Sequence, residues 1–248
     1  MLADMSKPQI IVQDVEGQQR ALDSVTDRLI RGGTWKKSRI VVIIPAADMI
    51  SAQVALSWWN IVFPPNQGVV RIIAQGMEVG DAYSQAIEMI LAHPELKNWE
   101  YVMTIEHDNL IPADAALKLI EQMELHPEMS AISALYAVKG HGGCFQIWGD
   151  INDPNINFRP QVPILDTLME CYGIGMGCAL WRMSMLKDDR LDRPLFKTYT
   201  GGDGAATQDL KFAMGARKYG YRFGVYTGVR SGHVDITGEF GEGKGFVW

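Results

Sequence analysis

The sequence predicts an α/β fold built on a doubly wound, mostly parallel sheet with helices on both faces. The first observation is a continuous β-branched run over residues 40–44, which Pro45 stops. The second is residues 101–105, an apolar run of the kind that forms a strand buried on both faces of a parallel sheet. The third is the alternation of strand-like and helix-like segments as far as Val138, which is typical of successive βαβ units.

The first half of the chain supplies these alternating elements. Helices are predicted where apolar residues recur at helical spacing, and strands where short apolar runs lie between turn residues. Pro112 marks a helix start, because its missing N–H costs least in the first turn. In chain order the predictions are a leader helix within residues 22–30, a strand over 40–44, a helix over 50–62, a strand over 69–74, a helix over 80–91, a strand over 101–105, a helix over 113–125 and a strand over 131–138.

The second half has a different character. Residues 140–163 are rich in Gly, Asn, Asp and Pro, which favours hairpins and loops. The remaining predictions are a glycine-punctuated apolar segment over 171–181, a short helix over 184–189, a helix over 208–219 that ends at Gly220, and a strand over 221–226. The predicted organisation is a leader (1–38), one domain (39–236) with a nucleotide-binding half (39–138) and an acceptor half (139–236), and a glycine-rich tail (237–248).

Composition excludes several functional classes. The chain has 248 residues, of which 47% are hydrophobic and 21% charged, as in ordinary globular domains. A net charge of −6 argues against nonspecific nucleic-acid binding, although a nucleobase acceptor stays open. Three cysteines without a CxxC pair give no disulfide framework and favour a cytoplasmic location. We predict neither a signal peptide nor a membrane span, since no run approaches roughly 18 apolar residues.

An acidic cluster follows the third predicted strand. Glu106 and Asp108 flank His107 at the strand's carboxyl end, where open α/β sheets bind ligands. Carboxylate oxygens suit Mg²⁺ and Mn²⁺, so this cluster predicts a divalent-cation site that handles phosphates. Asp108 is the first candidate ligand, and Glu106 is either a supporting metal contact or a ribose contact. The alternative is that Asp108 and Asn109 form a turn that caps the next helix.

Four features in this order resemble the GT-A fold glycosyltransferases that use nucleotide sugars, especially their large inverting (family 2-like) group. They are the strand over 40–44 with Pro45, the triad 106–108 in place of D-x-D, the helix start at 207–212, and Ser231-Gly232-His233. The resemblance implies a Mn²⁺ or Mg²⁺ cofactor held by Asp108, His233 and Glu106. It also implies that Asp209 is the catalytic base that deprotonates an acceptor hydroxyl.

The resemblance further implies a nucleotide-sugar donor, with a UDP-sugar expected ahead of a GDP-sugar, and an acceptor of unknown identity. The chain departs from the family's pattern at three places: Gln208 stands beside the proposed base where an acid is usual, the acidic cluster after the second strand is absent, and Tyr83-Ser84 replaces an Arg-Asn pair. Candidate donor contacts are Pro45, Ala46, Asp48, Gln75, Glu78 and Glu106. Candidate acceptor contacts are Trp148, Tyr172, Gly175, Gly177 and Asp203.

Each candidate also has a purely structural interpretation. Asp209 suits the first turn of a helix, where the dipole favours an acid, and His233 could be a structural histidine. Gly175 and Gly177 could serve a tightly packed strand, and the aromatic residues could belong to the core. Two other functions stay open beside glycosyl transfer: a nucleotidyltransferase, and a non-catalytic module that binds a sugar nucleotide or a glycan.

Overall fold

The computed structural model describes most of the predicted domain. The described residues are 19–20, 23, 38–46, 49–65, 67–138, 144–197, 207–234 and 245–246. Most of the leader helix predicted over 22–30 and most of the tail predicted over 237–248 therefore lie outside the described residues, as do the candidates Asp48 and Asp203.

The described strands confirm the predicted alternation in the first half. In chain order they are β1 (Ile40–Ala46), β2 (Val69–Gln75), β3 (Tyr101–Ile105), β4 (Asn109–Leu110), β5 (Ala131–Leu135), β6 (Ala137–Val138), β7 (Cys144–Phe145), β8 (Ile147–Asp150), β9 (Leu168–Ile174), β10 (Cys178–Arg182), β11 (Phe223–Arg230), β12 (Gly232–Val234) and β13 (Gly245–Phe246). The helices are α1 (Ala52–Asn60), α2 (Val79–Ala92), α3 (Ala115–Leu125), α4 (Met183–Leu186) and α5 (Gln208–Arg217), with a 3₁₀ turn at Leu96–Asn98.

The main sheet has eight strands in the order β2-β1-β3-β10-β5-β11-β9-β8. Strand β1 pairs in parallel with β2 and β3, and β11 pairs in parallel with β5. Strands β9 and β10 run against their neighbours, so the other six strands share one direction. The predicted α/β fold with a mostly parallel sheet is thus confirmed.

Helices cover both faces of the sheet, as predicted. The side chains of β1 alternate between two cores, with Ile40 and Val42 in one and Val41 and Ile43 in the other. The first core includes residues of α1 and α3, and the second includes residues of α2, α4 and α5. Among the described residues, no helix combines the length and apolar character needed to cross a bilayer.

Two short sheets extend the fold beyond the main one. Strand β12 lies between β4 and β13, antiparallel to both. Strands β6 and β7 form a separate antiparallel pair, so the strand predicted over 131–138 is in fact two strands interrupted at Tyr136. The apolar segment predicted over 171–181 is also two strands, and β11 and β5 lie between β9 and β10 in the main sheet.

Candidate functional site

A cleft of about 440 Å³ opens beyond the carboxyl ends of β1, β2 and β3. Parallel strands end at the same edge of a sheet, which is where open α/β sheets bind their ligands. Four candidates predicted from the sequence lie in its lining, namely Pro45, Ala46, Glu106 and Asp108. The complete lining is Pro45, Ala46, Gly76, Met77, Val79, Glu106, His107 and Asp108.

Asp108 and His233 meet although they are far apart in the chain. The imidazole Nε2 of His233 lies 3.3 Å from Oδ2 of Asp108. Pairing of β12 with β4 causes this approach, because it sets His233 opposite Asn109. The backbone N–H of Val234 also donates to the carbonyl of Asp108 at 2.7 Å. The two predicted metal ligands are therefore juxtaposed by backbone hydrogen bonds, independently of any ion.

The Asp108–His233 pair fits a divalent cation. Neighbouring ligands of an octahedral ion lie about 3 Å apart, close to the separation observed here. The second carboxylate oxygen of Asp108, Oδ1, is buried and has no hydrogen-bond partner among the described residues. Among all the residues that the structure describes, no group of three or more His, Cys, Asp or Glu side chains is arranged to hold a metal ion. Substrate phosphates and water would have to complete the ligand set, as is usual for Mg²⁺.

The capping alternative for Asp108 and Asn109 is wrong. Helix α3 takes Asp114 as its N-cap residue, and Asn109 belongs to β4. The chain first makes a turn in which the N–H of Asn109 donates to the carbonyl of Glu106 at 3.2 Å. Asp108 therefore lies in the connection between β3 and β4 and contributes nothing to the start of a helix.

Glu106 lies in an environment that opposes its ionisation. Burial, followed by the charges of Asp108 and Asp209, raises the pKa of its carboxyl to about 8. At neutral pH the side chain is therefore mostly protonated when no cation is bound. A neutral carboxyl can donate a hydrogen bond to a sugar or ribose oxygen, whereas a metal ligand must be ionised. This protonation describes the metal-free site, so the ribose contact and the metal contact of Glu106 both stay predictions.

Asp209 lies in the first turn of α5 and is buried, with 8% of its surface exposed. Its Oδ1 accepts hydrogen bonds from the backbone N–H of Leu210, at 2.9 Å, and from the hydroxyl of Thr207. Burial raises the pKa of its carboxyl, although the hydrogen bond from Thr207 opposes the shift. The first-turn position of Asp209 is therefore confirmed, and the charge of Asp209 also affects the pKa of Glu106, the residue that follows β3. The base role stays a prediction.

Two buried tyrosines beside these carboxyls were not predicted. Tyr83 and Tyr136 are 0% and 2% exposed, and burial followed by the charge of Glu106 raises the pKa of both phenols well above the usual range. The hydroxyl of Tyr136 accepts the N–H of Gly177 at 3.0 Å. The hydroxyl of Tyr83 has no partner among the described residues. The sequence marked Tyr83 only as a departure from the family's Arg-Asn pair and gave no signal for Tyr136, since the proximity of both to Glu106 arises from the folded chain.

Gly175 and Gly177 lie against these buried polar groups. A Cβ at Gly175 would lie 2.1 Å from the Tyr136 hydroxyl, and one at Gly177 would lie 2.6 Å from Nδ2 of Asn109. Both distances are shorter than any real contact, so the glycines are needed for close packing next to the site. This observation favours the packing interpretation over a direct acceptor contact.

The two aromatic residues predicted to contact the acceptor substrate, Tyr172 and Trp148, differ in how far they are exposed. Tyr172 is 7% exposed, its hydroxyl donates to the carbonyl of Asp153 at 2.7 Å, and the guanidinium of Arg217 lies 4.6 Å from its ring centre. Trp148 is only partly buried, and its indole N–H donates to Gln146 at 3.1 Å. Burial and these contacts therefore account for Tyr172, whereas Trp148 stays partly exposed.

The remaining donor candidates lie at the end of β2 and the start of α2. Gln75 is exposed at the last position of β2. Glu78 is the N-cap of α2, and its carboxylate accepts the N–H groups of Gly80 and Asp81 at 2.9 and 3.2 Å. Those contacts account for Glu78 as a capping residue.

Comparison with known proteins shows similarity at the level of structure. No family model matches the sequence, and no curated protein matches it. A crystal structure of A197 from STIV matches with a TM-score of 0.53 and 15% identity, over 79% of this chain and 85% of that chain. The structure of CMP:2-keto-3-deoxy-manno-octonic acid synthetase complexed with CTP matches with a TM-score of 0.45 and 10% identity, over 76% and 89%. The first similarity concerns the fold alone, and the second is too weak to carry an argument.

Proposed function

We propose that this chain is a metal-dependent glycosyltransferase that moves a sugar from a nucleotide-sugar donor to an acceptor hydroxyl. The observation that carries the proposal is the Asp108–His233 pair, with 3.3 Å between its polar atoms at the carboxyl ends of β1–β3. Ligand chemistry and position agree there, because a diphosphate binding beyond the strand ends would lie beside these two side chains.

The chain's own residues have separate tasks in this mechanism. Asp108 and His233 would hold a Mn²⁺ or Mg²⁺ ion, which stabilises the charge of the departing diphosphate when bound. The strand ends at Pro45 and Ala46 would contact the nucleoside. Asp209 would accept the proton of the acceptor hydroxyl as its oxygen bonds to the anomeric carbon. The bond from that carbon to the diphosphate breaks, and the nucleoside diphosphate leaves with the electron pair. Attack opposite the leaving group inverts the anomeric centre.

Burial of Asp209 supports the base role through its effect on basicity. A carboxylate with a raised pKa is a better proton acceptor at neutral pH than an exposed one. Coupling to Glu106 supports its placement near the cleft, since Glu106 lines that cleft. The non-catalytic alternative predicts that the donor binds and is never cleaved, so turnover separates the two functions.

The test of the metal site is calorimetric titration of UDP and GDP with and without Mn²⁺. We expect Mn²⁺-dependent binding of UDP by the wild type and its loss in Asp108→Ala. The exposed Asp189 supplies the matched control, because Asp189→Ala removes the same charge outside the cleft and should bind as the wild type does. Absence of binding by either nucleotide would refute the proposal.

The test of the base is release of UDP from a UDP-sugar by Asp209→Asn. Loss of a general base costs typically about 10²–10⁴-fold in rate, so we expect a reduction of at least about 100-fold. Binding of UDP with Mn²⁺ should stay within about twofold of the wild type, since Asn conserves the shape of Asp. Near-intact turnover in Asp209→Asn would assign the base to another residue.

A further inference from the structure

A second cleft, of about 430 Å³, is lined in part by residues of α5. Its walls are α5 with the residues that follow it and the segment 191–197. It has no lining residue in common with the donor cleft. Hydrogen bonds hold the segment in place, because the carbonyl and the N–H of Phe196 both bond to the hydroxyl of Ser84 at 3.0 Å.

The second cleft gathers positive charge in an acidic protein. Its lining holds one carboxylate, Asp192, against four cationic side chains: Arg193, Lys197, Lys211 and Lys218. Arg193 is partly neutralised, because it pairs with Glu88 at 2.9 Å. Within the described part of the chain, neither Lys197 nor Lys218 forms an ion pair with a carboxylate. With a net charge of −6 overall, such a local excess of cations favours an anionic ligand.

The dipole of α5 accounts for only part of this arrangement. A cation at a helix C-terminus is favourable, and Lys218 is the C-cap residue of α5. Lys197 lies on the opposite wall of the cleft, where that dipole does not require a cation. Convergence of lysines from both walls on one cavity therefore needs another reason.

Gly215 supplies the second, independent observation. It lies inside α5, where glycine weakens a helix relative to alanine. A Cβ at this position would meet no atom within 4 Å beyond its chain neighbours and the adjacent backbone of α5, and the φ of Gly215 is not in the left-handed region. Neither packing nor backbone conformation therefore requires a glycine. The open space beside Gly215 leaves room for a ligand to pack directly on the helix backbone.

We propose that this cleft is a binding site for a small phosphate-bearing anion, independent of the donor site. The volume lies in the range of small-molecule pockets. Lys197 and Lys218 would bind the phosphate from the two walls, and Gly215 would let it approach the helix. Tyr219 is 43% exposed, and the Arg190 guanidinium lies 5.1 Å from the centre of its ring. The exposed part of this ring would contact the rest of the ligand.

The test is calorimetric titration of inorganic pyrophosphate into the full chain at low salt with EDTA, which silences the metal site. We expect one site whose affinity falls as salt rises. Lys218→Glu should lose at least about tenfold in affinity, while Lys97→Glu, which makes the same charge change on an exposed residue outside the cleft, stays within about twofold. Asp108→Ala should bind pyrophosphate as the wild type does.

Gly215→Ala distinguishes a ligand-binding role of Gly215 from a purely structural one, because the two measured quantities, Tm and pyrophosphate affinity, should change in opposite directions. It should raise Tm by about 2–4 °C through helix propensity, yet weaken pyrophosphate binding by steric exclusion. The proposal is overturned by no binding at millimolar pyrophosphate, by equal binding in Lys218→Glu, or by undiminished binding in Gly215→Ala. Tighter binding of a single-stranded oligonucleotide at the same residues would also overturn it, in favour of a nucleic-acid site.

Discussion

Replacing Glu106 by glutamine should change how the stability of the protein depends on pH. Glutamine conserves the shape of the side chain and removes its titration. The structure raises the pKa of Glu106 from an ordinary 4.5 to about 8, first through burial and then through the charges of Asp108 and Asp209. The perturbation therefore removes a carboxyl that the folded state keeps protonated and the unfolded state does not.

The sign and the size follow from linkage. Between pH 4.5 and about 8 the folded chain binds this proton and the unfolded chain releases it, so the free energy of unfolding falls as pH rises. One proton gives a slope of up to about 1.4 kcal/mol per pH unit. Across the whole window the loss amounts to about 5 kcal/mol, a large part of the stability of an ordinary domain. Glu106→Gln should lack this loss.

The assay is urea denaturation of both proteins in EDTA from about pH 5 to about pH 9. We expect the free energy of unfolding of Glu106→Gln, relative to that of the wild type, to rise steadily as pH rises through the window. Above about pH 8 this difference should stay constant. Glu95→Gln, on an exposed residue, is the control and should follow the wild type at every pH. A constant difference between Glu106→Gln and the wild type, independent of pH, would show that the carboxyl ionises in the folded state as it does in water.

Two further predictions concern the stability of the fold, one through packing and one through a buried hydrogen bond. Gly177→Ala should destabilise the fold by about 1–3 kcal/mol, because its Cβ would lie 2.6 Å from Nδ2 of Asn109, whereas Gly215→Ala should stabilise it by up to about 1 kcal/mol. Urea denaturation measures both, and equal effects of the two exchanges would contradict the contact geometry. Thr104→Val should cost about 1–3 kcal/mol, because the buried indole N–H of Trp181 donates to Thr104 Oγ1 at 3.0 Å. Thr104→Ser keeps the hydroxyl that accepts this hydrogen bond. A loss of stability in Thr104→Ser as large as in Thr104→Val would therefore refute the hydrogen-bond argument.

The elements of the first half could be predicted because their signals are local. The β-branched run of β1 and the helical spacing of α2 and α3 lie within single segments, and the structure matches them closely. The prediction that Pro45 stops the first strand is wrong, because β1 continues through Pro45, opposite Ala74 on β2, to Ala46. The antiparallel insertion of β10 between β3 and β5 could not be predicted, since strand pairing depends on residues distant in the chain. The interruption at Tyr136 was missed for a related reason. Its hydroxyl contacts the N–H of Gly177, which only the folded chain brings near.

The candidate site shows the same division between local and nonlocal information. Residue chemistry at the end of β3 identified Glu106 and Asp108, which line the cleft, whereas only the family resemblance pointed to Asp209. The protonation state of each depends on what surrounds it, which no spacing rule contains. Burial and neighbouring acids set the pKa of Glu106, and those neighbours come from α5 and from the turn after β3.

The turn between β3 and β4 places two chemically similar acids, Glu106 and Asp108, in different surroundings. Because the chain reverses between Glu106 and Asn109, the two carboxyls no longer share one face of a strand. Asp108 meets His233, a base that can share a cation with it, whereas Glu106 meets the charge of Asp209 and becomes reluctant to ionise. Two carboxyls only two residues apart thus have different neighbours, in keeping with the separate roles proposed for them. A pattern of two acids around one residue therefore does not by itself define two equivalent ligands, because the backbone path after the strand sets the surroundings of each carboxyl.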